Sequence, residues 1–199
     1  MMQIEYSQKK FENVDITNLV LFHGEVDFST SVIYHFSAGN MGVEYADGFV
    51  EDFLMNINKY PLHMKVENDE INYAEIVNLL SVNQINFHEI FHNENYCCFN
   101  ITIHNEDEFR KVYPYFFVAA TCNLTAMYTM PLDFLWMEPL KESDINSTFM
   151  ADFKKEGETL IALGFDGEGV EIWTTDNDLA VNDFYISKLE DKYIFQMND

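Results

Sequence analysis

Apolar side chains recur along this chain with two periods, and each period predicts a different element of secondary structure. The helical period is clearest between Asp47 and Pro61, where apolar residues at three- and four-residue steps line one face. These apolar residues are Phe49, Val50, Phe53, Leu54 and Ile57. Asp47 is the predicted N-cap of this helix, Lys59 suits its C-terminal end, and Pro61 stops it.

Two further helices are predicted downstream. Asp69 caps the first of them, and Asn105 opens the second, with three acidic residues directly behind it. Pro114 lies inside this second helix and is expected to kink it, or to end its first part near Tyr113. Residues 149–155 are predicted to form a short additional helix.

Runs of β-branched and aromatic residues, some alternating with polar ones, predict strands. The predicted strands are residues 16–26, 31–36, 62–67, 85–92, 96–104, 124–130, 160–165, 170–174 and 184–196. Residues 1–15 predict no clear element, and residues 131–141 are expected to be irregular. Because strands outnumber helices and have short links, the predicted fold class is α+β: a largely antiparallel sheet with two or three helices packed on one face.

Residues 1–199 are predicted to form a single acidic globular domain. The chain is 48% hydrophobic and 16% aromatic, which favours a folded protein with a substantial core. No Pro-, Gly- or Ser-rich segment divides it, and no internal repeat is present.

Charge is the most unusual property of the sequence. Asp and Glu number 34 against 11 Lys and Arg, a formal net charge of −23, and residues 11–58, 66–109 and 156–187 contain no Lys or Arg. Such a charge opposes direct binding to nucleic acid or to an anionic membrane, both of which require basic patches. A basic protein is the macromolecular partner that this charge attracts, unless the acids serve only to keep the molecule in solution.

Cysteine usage predicts a reducing compartment. Cys97 and Cys98 are neighbours in a predicted strand, where adjacent side chains point to opposite faces, and Cys122 makes the total odd. Unbridged thiols packed as small apolar groups are expected. The first ten residues lack the apolar segment of a signal peptide, and no apolar run reaches the length of a membrane span. We therefore expect a cytoplasmic protein.

One string matches a catalytic motif. His88, Glu89 and His92 form H-E-x-x-H, which on a helix would place both imidazoles around one zinc ion with the glutamate as general base. These five residues resemble the zincin metalloprotease motif, which implies a zinc-dependent hydrolase. The surrounding alternation favours a strand instead, in which the two histidines would share a face but lie roughly 13 Å apart. No metal, cofactor or catalytic residue is therefore predicted, and the sequence favours a binding protein over an enzyme.

The acidic span 156–187 is the predicted partner-binding surface, because it combines carboxylates with large aromatic rings. Its predicted binding residues are Asp166, Glu168, Glu171, Trp173, Asp176, Asp178, Asp183 and Tyr185. The alternative is an ordinary hairpin whose rings point inward and whose acids are merely solvated.

The leading functional hypothesis is an inhibitor or immunity-type protein that neutralises a basic partner, such as a toxin or a nuclease, by covering its surface. Two alternatives remain open at this point. One is a phage-type DNA mimic or inhibitor of a host restriction or CRISPR nuclease, with carboxylates at phosphate-like spacing. The other is the zinc-dependent hydrolase.

Overall fold

Nine of the strands in this computed structural model form one sheet, and three form a second, smaller sheet. The structure describes residues 2–10, 20–22, 32–37, 43–57, 59–121, 126–130, 135–138, 148–151, 157–163, 169–180 and 182–198. The strands in these residues are β1 (Met2–Lys10), β2 (Val20–Phe22), β3 (Val32–Ser37), β4 (Leu62–Asp69), β5 (Asn86–His92), β6 (Tyr96–Ile103), β7 (Ala126–Met130), β8 (Leu135–Glu138), β9 (Thr148–Ala151), β10 (Thr159–Leu163), β11 (Gly169–Thr174) and β12 (Tyr193–Met197). The helices are α1 (Val43–Ile57), α2 (Tyr73–Val82), α3 (Glu106–Thr121) and α4 (Asn182–Leu189), and a short 3-10 helix covers Glu70–Asn72.

The main sheet has the order β12-β1-β3-β11-β10-β7-β4-β6-β5. Every neighbouring pair in it is antiparallel except β1 and β12, which run parallel. The second sheet has the order β2-β9-β8. The predicted α+β class with a largely antiparallel sheet is therefore confirmed.

The helices cover one face of the main sheet. Helix α1 contacts α3, α4 and β11, while α3 also contacts α2, β4, β6 and β7. Aromatic rings join these layers: Phe53 of α1 lies 5.1 Å from Phe36 of β3 and stacks on Tyr185 of α4 at 5.3 Å, measured between ring centroids. All three rings are buried, so residues far apart in sequence share one core.

Several predicted boundaries and elements are wrong. Helix α1 begins at Val43, so Asp47 lies inside it and is not the N-cap. Asp69 precedes the 3-10 helix, and its side chain makes no capping hydrogen bond. Helix α3 is continuous through Pro114, so Tyr113 does not end its first part. Burial of the α3 side chains on both sides of the proline accounts for this, because such packing outweighs the lost backbone hydrogen bond.

Other differences reflect pairing between distant segments. The first strand, β1, falls in residues that predicted no clear element, and β8 falls in the segment expected to be irregular. Strand β9 occupies part of the predicted helix 149–155, where it pairs with both β2 and β8. Helix α4 replaces the first half of the predicted strand 184–196, since Tyr185 and Leu189, four residues apart, both enter the core.

Candidate functional site

The predicted aromatic anchors of the partner-binding surface lie inside the protein. Trp173 and Tyr185 are each only 2% exposed. Trp173 belongs to β11, which lies between β3 and β10 in the middle of the main sheet, and Tyr185 packs between α4 and the sheet with its hydroxyl donating to the carbonyl of Leu179. Their assignment as surface anchors is therefore wrong: the hairpin turns its rings inward.

The acids assigned to that surface are not gathered around any exposed ring in the described structure. The Nζ of Lys59 lies 2.7 Å from the carboxylate of Asp176 and 4.0 Å from that of Asp178. Burial would raise the pKa of Asp176, but hydrogen bonds from Lys59 and from the amide of Asp178 outweigh it and hold that pKa below its ordinary value. Asp183 is exposed and Glu171 is half-buried. Asp166 and Glu168 lie outside the described residues.

The H-E-x-x-H string lies on a strand, as its alternation favours, and the strand separates its two histidines. In β5, His88 pairs with Asn100 and His92 pairs with Cys97, with a β-bulge between Glu89 and Phe91. Because the bulge inserts one residue, His88 and His92 point to opposite faces of the sheet. The expectation that they share a face is wrong, and no group of three metal-ligating side chains occurs among the described residues. The arrangement that a zinc hydrolase requires is absent from this part of the chain.

The same strand forms part of a different cluster, which combines exposed apolar groups with carboxylates. We call it the β5 corner. Its side chains are those of Glu70, Ile71, Tyr73, Phe87, Glu89, His92 and Glu94.

Ring stacking and hydrogen bonds organise the β5 corner. The Tyr73 ring stacks on His92 with centroids 3.9 Å apart, and its hydroxyl donates to Glu89 at 2.7 Å. The His92 Nε2 lies 3.6 Å from a Glu70 carboxylate oxygen. Phe87 is 36% exposed and Ile71 is 84% exposed, so the corner presents apolar surface beside its carboxylates.

Local sequence explains how the chain reaches this geometry. Asn93 Oδ1 accepts hydrogen bonds from the amides of Asn95 and Tyr96 and so closes the β5–β6 turn. The amide of Glu70 donates to the carbonyl of Asn95, which ties the 3-10 helix to that turn. At the end of α2, Gln84 adopts a φ of 56°, a left-handed conformation that ends the helix and directs the chain into β5.

The electrostatic potential at this corner is negative. No Lys or Arg occurs between residues 66 and 109. Burial, together with the surrounding carboxylates of Glu70, Glu89, Asp69 and Glu67, raises the pKa of the Cys97 thiol to about 11. The hydrogen bond to Glu89 likewise raises the pKa of the Tyr73 phenol.

The described basic side chains are engaged elsewhere. Those that form ion pairs with nearby carboxylates are Lys59, Arg110, Lys111 and Lys192. Lys188 donates to the carbonyl of Asn56 and lies 4.0 Å above the Phe184 ring, and Lys65 is buried. Within the described part of the chain, Glu70, Glu89 and Glu94 therefore have no Lys or Arg partner.

Sequence reasoning missed this corner although its signals were present. Residues 66–109 lack Lys and Arg, as residues 156–187 do, but the segment 156–187 also contains a tryptophan, which favours it as a binding surface. Phe87 alternates with polar neighbours in β5, and such alternation does not reveal that the strand lies at the edge of the sheet. Only the strand order places this alternating strand where its ring remains exposed.

Comparison with protein-family models, curated proteins and solved structures finds no match for this chain. Among the described residues, none of the helices has the length and apolar character needed to cross a membrane.

Proposed function

We propose that this protein is an acidic inhibitor of the immunity type, which binds a basic protein such as a toxin or a nuclease and covers its active surface. The observation that carries the proposal is the β5 corner, where Phe87 and Ile71 are exposed beside carboxylates that contact no Lys or Arg among the side chains the structure describes. This is the combination of apolar anchors and same-sign charge that the sequence hypothesis required, at a different place in the fold.

Charge and apolar surface have separate roles in this proposal. A net charge of −23 accelerates encounter with a basic partner and is screened by salt. The exposed ring of Phe87 supplies buried area once the partner has docked, which slows dissociation. Inhibition follows because a partner surface held against the corner is closed to its own substrate.

A cytoplasmic location is part of the same proposal. Cys97 and Cys98 are buried and unbridged, and burial raises the pKa of both thiols above the ordinary range. Such thiols suit a reducing compartment, in which a cell protects itself or disables a host enzyme.

The test compares two matched charge reversals. The first variant carries Glu70→Lys and Glu94→Lys and so reverses two charges of the β5 corner. The second carries Asp178→Lys and Asp183→Lys, which changes the net charge by the same amount on the surface predicted from sequence. Each immobilised protein is exposed to cell lysate at low salt, and the isoelectric points of the retained proteins are determined.

The wild type and the Asp178/Asp183 variant are expected to retain the same basic proteins, which the Glu70/Glu94 variant loses. Retained proteins that are not basic would contradict the proposal. Equal losses in both variants would show that binding depends on charge over the whole surface, as a DNA mimic requires.

A further inference from the structure

Strand β5 is one of the two edges of the main sheet in the described residues. Its first half is regular: Asn86 to Glu89 pair one-to-one with Thr102 to Phe99 of β6, and their side chains are exposed. An edge strand presents backbone amide and carbonyl groups that another strand can bond. The bulge beyond Glu89 interrupts this regular stretch, so the pairing surface that it offers is short.

The opposite edge, β12, offers a different chemistry. The sequence of β12 contains no charged residue, and Ile194 is more than half exposed. Pairing of two copies along β12 would bring together two molecules that each carry a charge of −23, which opposes association. Strand β5 itself carries the carboxylate of Glu89, with Glu70 and Glu94 near its end, so it offers charge complementarity toward a basic segment along the strand.

We propose that the occupant of the β5 edge is an extended basic segment of the partner protein, which adds to the main sheet as a further strand next to β5. This inference rests on the proposed function and specifies how the partner binds. Backbone hydrogen bonds provide affinity in this mode, and side chains at alternate positions provide specificity.

The side-chain pattern of such a segment follows from β5 itself. Phe87 and Glu89 are two residues apart in the regular half and therefore lie on the same face of the sheet. The docked strand must place an apolar residue against Phe87 and a Lys or Arg against Glu89, with one residue between them. Tyr73 already holds Glu89 in place through its hydroxyl, so this carboxylate is positioned before the partner arrives.

Two synthetic peptides of identical composition test this mode with the wild-type protein. The first alternates Val and Thr with Lys at the required spacing and has two Pro residues at its ends, and the second has the same two Pro residues in its middle. Both carry the same charge, but only the first can pair as a continuous strand. Affinity is measured by titration, and amide hydrogen exchange is followed by NMR with and without each peptide.

The first peptide is expected to bind at least about tenfold more tightly than the second, since the second loses backbone hydrogen bonds to β5. It should slow exchange at one or more amides between Asn86 and Glu89, and at none in β12. Equal affinities, slowed exchange elsewhere, or no binding by either peptide would overturn strand addition. Failure of strand addition is distinguishable from failure of the proposed function, because the charge-reversal experiment reports retention of basic proteins whichever way they dock.

Discussion

Lys65 shows how strongly position changes the chemistry of a residue. It lies in the middle of β4, opposite Asn100 of β6 and Met127 of β7, and only 4% of it is exposed. Burial lowers its pKa from 10.5 to about 8, and Cys98 opposes this shift. Because burial disfavours its charged form, the Lys65 ammonium destabilises the folded protein at neutral pH.

We expect Lys65→Met to stabilise the protein by roughly 1–3 kcal/mol at pH 7, because it keeps the apolar stem and removes the buried charge. In the wild type the unfolded state holds the Lys65 proton to higher pH than the folded state. The contribution of Lys65 to the free energy of unfolding should therefore rise as pH increases from about 8 toward 10.5, and the advantage of the variant over the wild type should narrow over that range. Urea unfolding as a function of pH measures both effects.

The matched control is Lys111→Met, which removes an exposed ammonium that pairs with Asp107 at 2.6 Å. Its effect should stay within about 0.5 kcal/mol, as for other surface ion pairs. A Lys65→Met protein less stable than the wild type at pH 7 would show that this ammonium has a stabilising partner. Nothing in the sequence around Lys65 distinguishes it from a surface lysine, because its burial depends on β6 and β7.

At the scale of elements, the start of α3 is the part that local sequence predicted best. Asn105 Oδ1 accepts a hydrogen bond from the amide of Glu108 at 3.0 Å, and the Glu108 carboxylate accepts from the Asn105 side chain and from the amide of His104. This arrangement resembles a capping box, but Glu108 accepts from the amide of His104, one residue before the cap, instead of from the amide of Asn105. It was predictable because both partners lie within one helical turn.

Asn105→Ala is expected to lower the free energy of unfolding by about 1 kcal/mol, since it leaves the Glu108 amide without its cap. Asn105→Ser keeps an oxygen at the capping position and should cost less than about 0.5 kcal/mol. Urea denaturation midpoints of the two variants and the wild type provide the measurement. Equal losses in both variants would mean that the cap contributes nothing beyond the local backbone conformation.

Strand β5 shows the opposite case. Its strand conformation followed from its alternation, but the bulge near Glu89 that separates His88 from His92 did not. A bulge forms between two strands, so the residues of one strand alone do not specify it. For the same reason, the H-E-x-x-H spacing alone could not predict whether the imidazoles of His88 and His92 lie close together.

At the scale of the whole molecule, net charge affects folding and binding with opposite signs. The excess of carboxylates destabilises the compact state by self-repulsion and attracts a basic partner. Salt screens both effects, so added salt should strengthen the fold while it weakens the complex. A complex held by electrostatic attraction should therefore weaken when salt is added, whereas a complex held by apolar contact alone should not.

We expect the melting temperature to rise by at least about 2 °C as NaCl is increased from about 0.01 M to about 0.15 M, over which the screening length falls from roughly 30 Å to roughly 8 Å. Circular dichroism melts provide the measurement. A variant with Glu94→Gln, Glu190→Gln and Asp191→Asn, which changes three exposed carboxylates, should melt higher at low salt and respond less to NaCl. A wild-type melting temperature that falls with salt would show that attractive ion pairs dominate.

Sequence by itself determined the properties that depend on neighbours along the chain or on composition: the α+β class, the α3 cap, the β10–β11 hairpin and the surplus of negative charge. Tertiary structure alone decided which strands lie at the edges, which rings are buried and where carboxylates meet exposed apolar surface. Trp173 and Phe87 illustrate the division, because both are aromatic residues in strands of an acidic segment. Trp173 lies in a central strand and is buried, whereas Phe87 lies in an edge strand and remains exposed. Strand order arises from pairing between distant segments, and no local pattern encodes it.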